Sequence, residues 1–239
     1  MTWRGRAAIV DICSRLGYRH DRREPVQLPG VAPDEMTGGA TPIRVYALDA
    51  VDGNVTEKEL VVLNSLVVSS HAKTIFELGT FDGRTTRNLA ANAGDGGHVF
   101  TLDLPRTSVA ALTAPIHAHE QRYVDKDVSG ARYHGTAEEA RITQLYGDSG
   151  TFDFSRHFGT IDFVLVDASH AYRYVINDSL VALTLVSEDG GVIAWHDYGR
   201  WDGVTRALND LRANHQGFAG VAYIEGTTLA FLRLESPRK

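Results

Sequence analysis

The sequence predicts an α/β protein built on a mostly parallel sheet, and three observations predict it. From Lys73 onward, short β-rich runs alternate with helical stretches, the pattern of a parallel sheet with crossover helices. Acidic residues recur where those β-rich runs end. The chain has 239 residues, 43% hydrophobic and 23% charged, which at ~100–200 residues per domain fits one large globular domain or one domain with an appendage.

Each element follows from local pattern. Ala7 to Leu16 has the spacing of an amphipathic helix, and the Pro/Gly-rich passage from Arg22 to Pro42 breaks every period and reads as a loop or lid. Thr56-Glu57-Lys58-Glu59 forms a capping box, with Leu60, Leu63 and Val67 behind it at helical spacing, so a helix leads into the sheet. Strands are expected near 73–78, 98–104, 141–146, 161–166 and 190–195. Helices are expected near 84–93, 170–187 and 202–214, the first ended by the Gly94-Asp95-Gly96-Gly97 turn. Residues 105–140 have weak periodicity with many His, Asp and Gly, and read as an insertion over the site. Val221 to Leu234, with Glu225-Gly226 at its centre, reads as a β-hairpin closing the sheet's edge. The expected organisation is an appendage over 1–70, serving as lid or dimerisation element, and a main domain over 71–239.

Composition narrows the function. The net charge of −6 is spread without long like-charge runs, which argues against a phosphate-tracking nucleic-acid surface and suits a cationic or zwitterionic small ligand. The single Cys13 excludes an intrachain disulfide or multi-cysteine metal site; it reads as a buried packing thiol and, with no apolar run approaching the ~18–20 residues of a membrane span, points to a cytoplasmic protein.

In open α/β sheets ligands bind beyond the carboxyl ends of the strands. The first strand ends in Glu77-Leu78-Gly79-Thr80-Phe81-Asp82-Gly83, whose glycines permit a tight turn and close backbone approach at the next helix's N-terminus. A dinucleotide fingerprint would need glycine where Phe81 stands, and Glu77 would meet a pyrophosphate with like charge, which disfavours an NAD-dependent oxidoreductase. S-adenosylmethionine, with an ammonium, a sulfonium and one carboxylate, is net positive and suits acidic strand ends. Asp103 ends the second strand near the ~20-residue spacing at which an acid caps a ribose diol. Asp148, in Tyr146-Gly147-Asp148-Ser149, could accept from an adenine amino group. Asp167-Ala168-Ser169-His170 and Trp195-His196-Asp197-Tyr198 follow the fourth and fifth strands. If those are neighbours ~4.8 Å apart, Asp167 and Asp197 converge, and two desolvated carboxylates there want a cation. Taken singly, Asp103 or Asp148 is as well explained as a helix cap or turn residue, so a non-catalytic adenosine-cofactor module stands beside the enzyme reading. The aromatics Tyr172, Tyr174, Tyr198 and Trp201 are packing residues or substrate walls.

With these residues in view, 73–234 resembles a class I S-adenosylmethionine-dependent methyltransferase. The strings Asp-x-x-His-x-Tyr and Gly-Gly-x-Ile-x-x-His-Asp-Tyr resemble the macrocin-type sugar O-methyltransferases and cephalosporin-hydroxylase-like proteins. The resemblance implies a Rossmann-like, seven-stranded sheet with one antiparallel strand, and cofactor contacts from Glu77, Gly79, Thr80, Gly83, Asp103, Asp148 and Asp167. Members of that group hold magnesium with three acidic residues, matched here by Asp167, His196 and Asp197. Histidine in the middle position either leaves the site to two carboxylates and water or tilts it toward manganese or iron. The implied activity is O-methylation of a small-molecule hydroxyl, on a sugar, phenol or natural-product alcohol, with no nucleic-acid or membrane partner and a homo-oligomeric assembly.

Methyl transfer to an alcohol needs the nucleophile in line with the S–CH₃ bond and its proton removed as the new bond forms. His170, three residues after Asp167 on the turn opening a helix, is the expected base; an unperturbed pKa of ~6.5 would leave it largely neutral at pH 7. Asp167 completes the expected catalytic pair.

Overall fold

The computed structural model describes residues 24–38, 42–106 and 120–236. The helix expected over Ala7 to Leu16, and Cys13 with it, lie outside these.

The elements are β1 (Gly30–Val31), α1 (Pro33–Thr37), α2 (Glu57–Ser69), β2 (Thr74–Leu78), α3 (Arg84–Asn92), β3 (His98–Asp103), α4 (Gln121–Val124), β4 (Ile142–Tyr146), β5 (Phe163–Val166), α5 (Tyr172–Leu185), β6 (Gly190–Trp195), α6 (Asp202–Asn214), β7 (Ala222–Ile224) and β8 (Ala230–Glu235). They build one 8-stranded sheet in the order β1-β7-β8-β6-β5-β2-β3-β4. Every pairing is parallel except those of β8, which runs antiparallel to both β6 and β7.

Period-2 alternation divides the core between the two faces of the sheet. Phe76, Leu78, Val164, Val166, Ile193 and Trp195 pack with α5 and α6, through Val175, Ile176, Ala207 and Leu208 among others. The residues between them in sequence, Ile75, Phe163, Leu165, Val192 and Ala194, pack on the other face with Leu60, Leu63, Leu66 and Val67 of α2 and Leu89 of α3. Both faces being covered explains why the central strands read as near-continuous apolar runs.

The capping box forms as expected: the Thr56 hydroxyl accepts from the Glu59 amide, and the Glu59 carboxylate accepts from the Thr56 amide at 2.8 Å. Helix α3 instead begins at Gly83 in the left-handed region (φ 83°), with no side-chain cap. Its amides grip the segment before α2. Asn92 accepts from the Arg44 amide (2.8 Å) and donates to the Arg44 carbonyl (2.7 Å), and Asn88 treats Tyr46 the same way at 2.9 and 3.0 Å. Two asparagines one turn apart thus pair with alternate residues of an extended strap, as a neighbouring strand would.

Two expectations are corrected. The passage Arg22–Pro42, read as a loop or lid, supplies β1 and puts Leu28 and Met36 into the core. The hairpin β7–β8 forms, but β1 lies outside it, so the hairpin does not end the sheet. A two-residue strand is too short to show a period. Its register is carried by main-chain bonds, with the Tyr223 amide donating to the Pro29 carbonyl and the Glu225 amide to Val31. No helix among the described residues is long and apolar enough to cross a membrane.

Candidate active site

The β2–α3 loop forms the floor of a cavity at the carboxyl ends of the strands. Gly79 sits at φ 99°, its amide donating to the Leu102 carbonyl (2.8 Å), while the Asp167 amide donates to Leu78 at 2.8 Å. A Cβ on Gly79 would lie 2.0 Å from the Asp167 carbonyl oxygen, so this turn lies flat against the end of β5 and no other residue fits. Phe81 is also at positive φ (48°) and packs edge-on against Tyr123, with ring centroids 5.5 Å apart.

Of the expected cofactor residues, Gly79, Asp103, Asp148 and Asp167 line this cavity, together with Phe81, Glu120, Tyr123, Lys126 and Tyr174. Glu77, Thr80 and Gly83 do not line it, and the reason is the pleat. Glu77 shares a face with Ile75 and points under α3, where its carboxyl accepts from Thr86 (2.5 Å) and Thr101 (2.6 Å). Burial pushes the Glu77 carboxyl up to about 8, so at neutral pH it is chiefly a neutral acid inside the fold. Thr80 is hydrogen-bonded to Thr101 at 2.6 Å. Gly83 starts α3 packed against Gly130 and Tyr133.

Asp103 ends β3 nearly buried, and the insertion reaches it: Lys126 pairs with its Oδ2 at 2.8 Å and Ser129 donates to the same oxygen. Asp148 turns its own loop, accepting from the Gly150 amide at 2.9 Å.

The ends of β5 and β6 carry a second cluster. Ligand atoms of Asp167, His196 and Asp197 all lie within 4.8 Å of one another. Asp197 holds a positive φ (68°), a conformation non-glycine residues rarely keep without a reason in the surroundings. His196 Nδ1 faces Asp167 (3.1 Å) and Asp197 (3.3 Å), while its Nε2 faces Glu59 at 3.4 Å. Burial alone would lower the His196 pKa, but these carboxylates outweigh it and hold the imidazole well above its ordinary value. Burial would likewise raise the Glu59 carboxyl; His196 and the amides of Thr228 and Thr56 draw it well below the usual range. The three acids demand positive charge at one point, a demand that a proton on His196 or a divalent ion bound through its Nδ1 would each meet. Two carboxylates and an imidazole thus fit a divalent cation.

His170 differs from its expected state. Its Nε2 lies 2.8 Å from Asp197 and its Nδ1 2.9 Å from Glu120, whose carboxylate takes the His170 amide hydrogen at 2.7 Å. The ring stacks on Trp201, centroids 4.8 Å apart. Burial works to lower its pKa, but the two carboxylates push it up to about 9, above the ordinary value on which the expectation of a neutral base rested. Tyr198 has a different use: its hydroxyl accepts from the Gln27 and Leu28 amides and donates to Asn209, tying residues 25–28 beside Asp197.

Sequence reasoning missed Glu59, Glu120 and Lys126. Glu59 was absorbed by its capping-box role, which uses one oxygen and leaves the other to accept from Thr228 (2.7 Å). Glu120 and Lys126 lie in the aperiodic insertion, where the one available signal was charge.

Against known proteins, residues 76–198 match a family model described as a methyltransferase domain. No curated protein matches the sequence. Among solved structures, the cofactor-bound Rv0187 from MTB superposes with a TM-score of 0.52 at 19% identity, covering 80% of this chain and 85% of that one. The O-methyltransferase TomG from Streptomyces achromogenes, solved in complex with SAM and involved in tomaymycin synthesis, superposes at 0.52 with 16% identity, covering 98% of this chain and 100% of that one. The matched segment runs from β2 through Asp197, taking in the loop, the strand-end acids and the imidazole cluster, and the chain belongs to the methyltransferase domain family, with the fold of the class I S-adenosylmethionine-dependent enzymes.

Proposed function

We propose that the protein transfers a methyl group from S-adenosylmethionine to a hydroxyl of a small molecule, a sugar or a natural-product alcohol or phenol. The observation that carries this reading is the continuity of the cavity wall. Gly79, Asp103 and Asp148 follow three adjacent strands, and Asp167 joins them to the acid–imidazole cluster at the next strand ends. A cofactor laid across the ends of β2, β3 and β4 would place its sulfonium toward that cluster. That Rv0187 was solved cofactor-bound and TomG in complex with SAM supports S-adenosylmethionine as the methyl donor.

In this reading Asp103 accepts from the ribose hydroxyls, Asp148 takes the adenine amino group, and Gly79 lets the amino-acid end approach the backbone. Phe81, Tyr123 and Val124 wall out water. The acceptor oxygen forms its bond to the methyl carbon as the carbon–sulfur bond breaks, and its proton passes to a neighbouring base. Asp167 suits that task by position: it lines the cavity and its side chain, 17% exposed, is more open than those of Asp197 and His196, both 7%. His170 and Glu120 hold the acids around it. Asp167, His196 and Asp197 would hold a divalent ion, which when bound orients a hydroxyl and lowers its pKa; the imidazole favours manganese or iron over magnesium.

The test is mass-spectrometric detection of a methylated product from a panel of hydroxyl acceptors, beside calorimetry of S-adenosylhomocysteine. Cofactor binding without turnover on any acceptor would favour the non-catalytic module. Asp103→Ala should weaken cofactor binding by about 1.5–3 kcal/mol, since a charged hydrogen-bond partner is lost; unchanged affinity in the folded variant would remove Asp103 from the ribose site. Treatment with a chelator should suppress turnover, and manganese should restore it. Full activity in chelator would leave Asp167, His196 and Asp197 as a hydrogen-bonded cluster.

A further inference from the structure

The insertion over the cavity carries a cation that the cofactor contacts named above leave without a role. Lys126 follows α4 and lines the cavity, its side chain 13% exposed and that of the neighbouring Asp103 8%. Its ammonium has three hydrogens to give. One goes to the Tyr123 carbonyl at 2.8 Å, and Asp103 Oδ2 stands at 2.8 Å to take a second. Ser129 donates to that same Oδ2, so one oxygen of Asp103 is engaged twice, while no hydrogen bond engages Oδ1 among the described residues. The segment is fastened on both sides of Lys126. Glu120 takes the His170 amide hydrogen at 2.7 Å, and further along the Gly130 amide donates to the Phe81 carbonyl at 3.0 Å and the Arg132 amide to Asp82 at 2.8 Å. The ammonium is thus built into the cavity wall and not laid on it from solvent.

A nearly buried ammonium with a hydrogen to spare, beside a carboxylate with an oxygen to spare, places a donor and an acceptor side by side. A vicinal diol offers the complementary pair, a lone pair on one oxygen and a hydrogen on the next. We propose that Lys126 binds the cofactor: with Asp103 it forms a clamp for the ribose diol, the ammonium donating to one hydroxyl oxygen while Asp103 Oδ1 accepts from the other hydroxyl. This rests on the cofactor reading above. The pair cancels its own charge, so this end of the cavity suits an uncharged sugar, and the clustered carboxylates stay at the β5–β6 end, toward which the sulfonium would lie.

The test is calorimetry with the full chain on S-adenosylhomocysteine and on its 2′,3′-dideoxy analogue, which lacks only the diol. Wild type should prefer the complete ligand, and in Lys126→Met that preference should shrink by about tenfold or more, the effect of losing a hydrogen bond to a charged group. Arg122→Met is the control: Arg122 stands on α4 and faces Asp52 at 2.7 Å, and its loss should keep the wild-type preference to within about twofold. A Lys126→Met variant that weakens both ligands by the same factor overturns the inference, because a residue that only shapes the insertion acts on both alike. Tighter binding of S-adenosylhomocysteine in that variant also overturns it, making the ammonium an occupant of the ribose position that the ligand must displace. If Lys126→Met does not fold, NMR of the wild-type lysine side chains supplies the test. The Lys126 signal should then move with S-adenosylhomocysteine and not with the analogue, and equal movement with both overturns the inference. Wild type that binds neither ligand refutes the cofactor reading itself, whereas equal binding of both leaves that reading standing and overturns the clamp.

Discussion

Gly79→Ala is expected to cost about 2–5 kcal/mol of folding stability, combining ~1–2 for a Cβ in the left-handed region with ~1–3 for an overpacked contact. The neighbour is the backbone oxygen of Asp167, 2.0 Å from the would-be Cβ, and backbone cannot rotate aside as a side chain can. Gly96→Ala is the control. Gly96 also has positive φ (70°), but a Cβ there would meet nothing within 4 Å, so only the conformational part should appear. Denaturant midpoints of the two variants separate clash from strain. Equal losses would mean that β2 and β5 do not approach as closely as described. Because Asp167 shares the contact, Gly79→Ala should also lower turnover in whatever fraction folds.

Glu59→Ala should be comparably severe, about 3–5 kcal/mol, the range for removing one partner of a buried charge pair. The carboxylate caps α2 through Thr56, anchors Thr228 of the β7–β8 turn through two 2.7 Å bonds, and faces the His196 imidazole. Its loss leaves three groups unsatisfied at once. Glu57→Ala in the same helical turn is exposed and should change stability by no more than about 0.5 kcal/mol. Urea unfolding of both variants checks this, and a Glu59→Ala loss no larger than that of Glu57→Ala would show the buried pairing to be energetically idle.

The central sheet was legible because its strands are buried on both faces and bounded by glycine and acid clusters. β6 is found at its expected bounds, and the others begin or end within about two residues of theirs, a margin usual for element ends. What sequence could not supply was orientation and company. Glu77 was recognisable as an acid before a glycine turn, but one step of the pleat sends it beneath α3 instead of into the cavity. His170 was recognisable as a strand-end histidine, but its ring nitrogens face Glu120 and Asp197, which come from other elements. Strand β1 declares itself through main-chain bonds, which leave no imprint on side-chain pattern.

The asparagine ladder on α3 separates anchorage from shape at the cavity's rim. Asn88 and Asn92 hold residues 44–46 entirely through main-chain atoms. These four bonds read only the strap's backbone, while the Arg44 guanidinium, donating to the Ala91 carbonyl, and the Tyr46 ring, beneath Arg87, add side-chain contacts to the same helix. Just beyond the gripped residues the strap continues to Gly53, against Phe81 and Tyr123 at the cavity's rim. Substitutions at positions 48–52 can therefore reshape that rim while the grip on residues 44–46 stays in place.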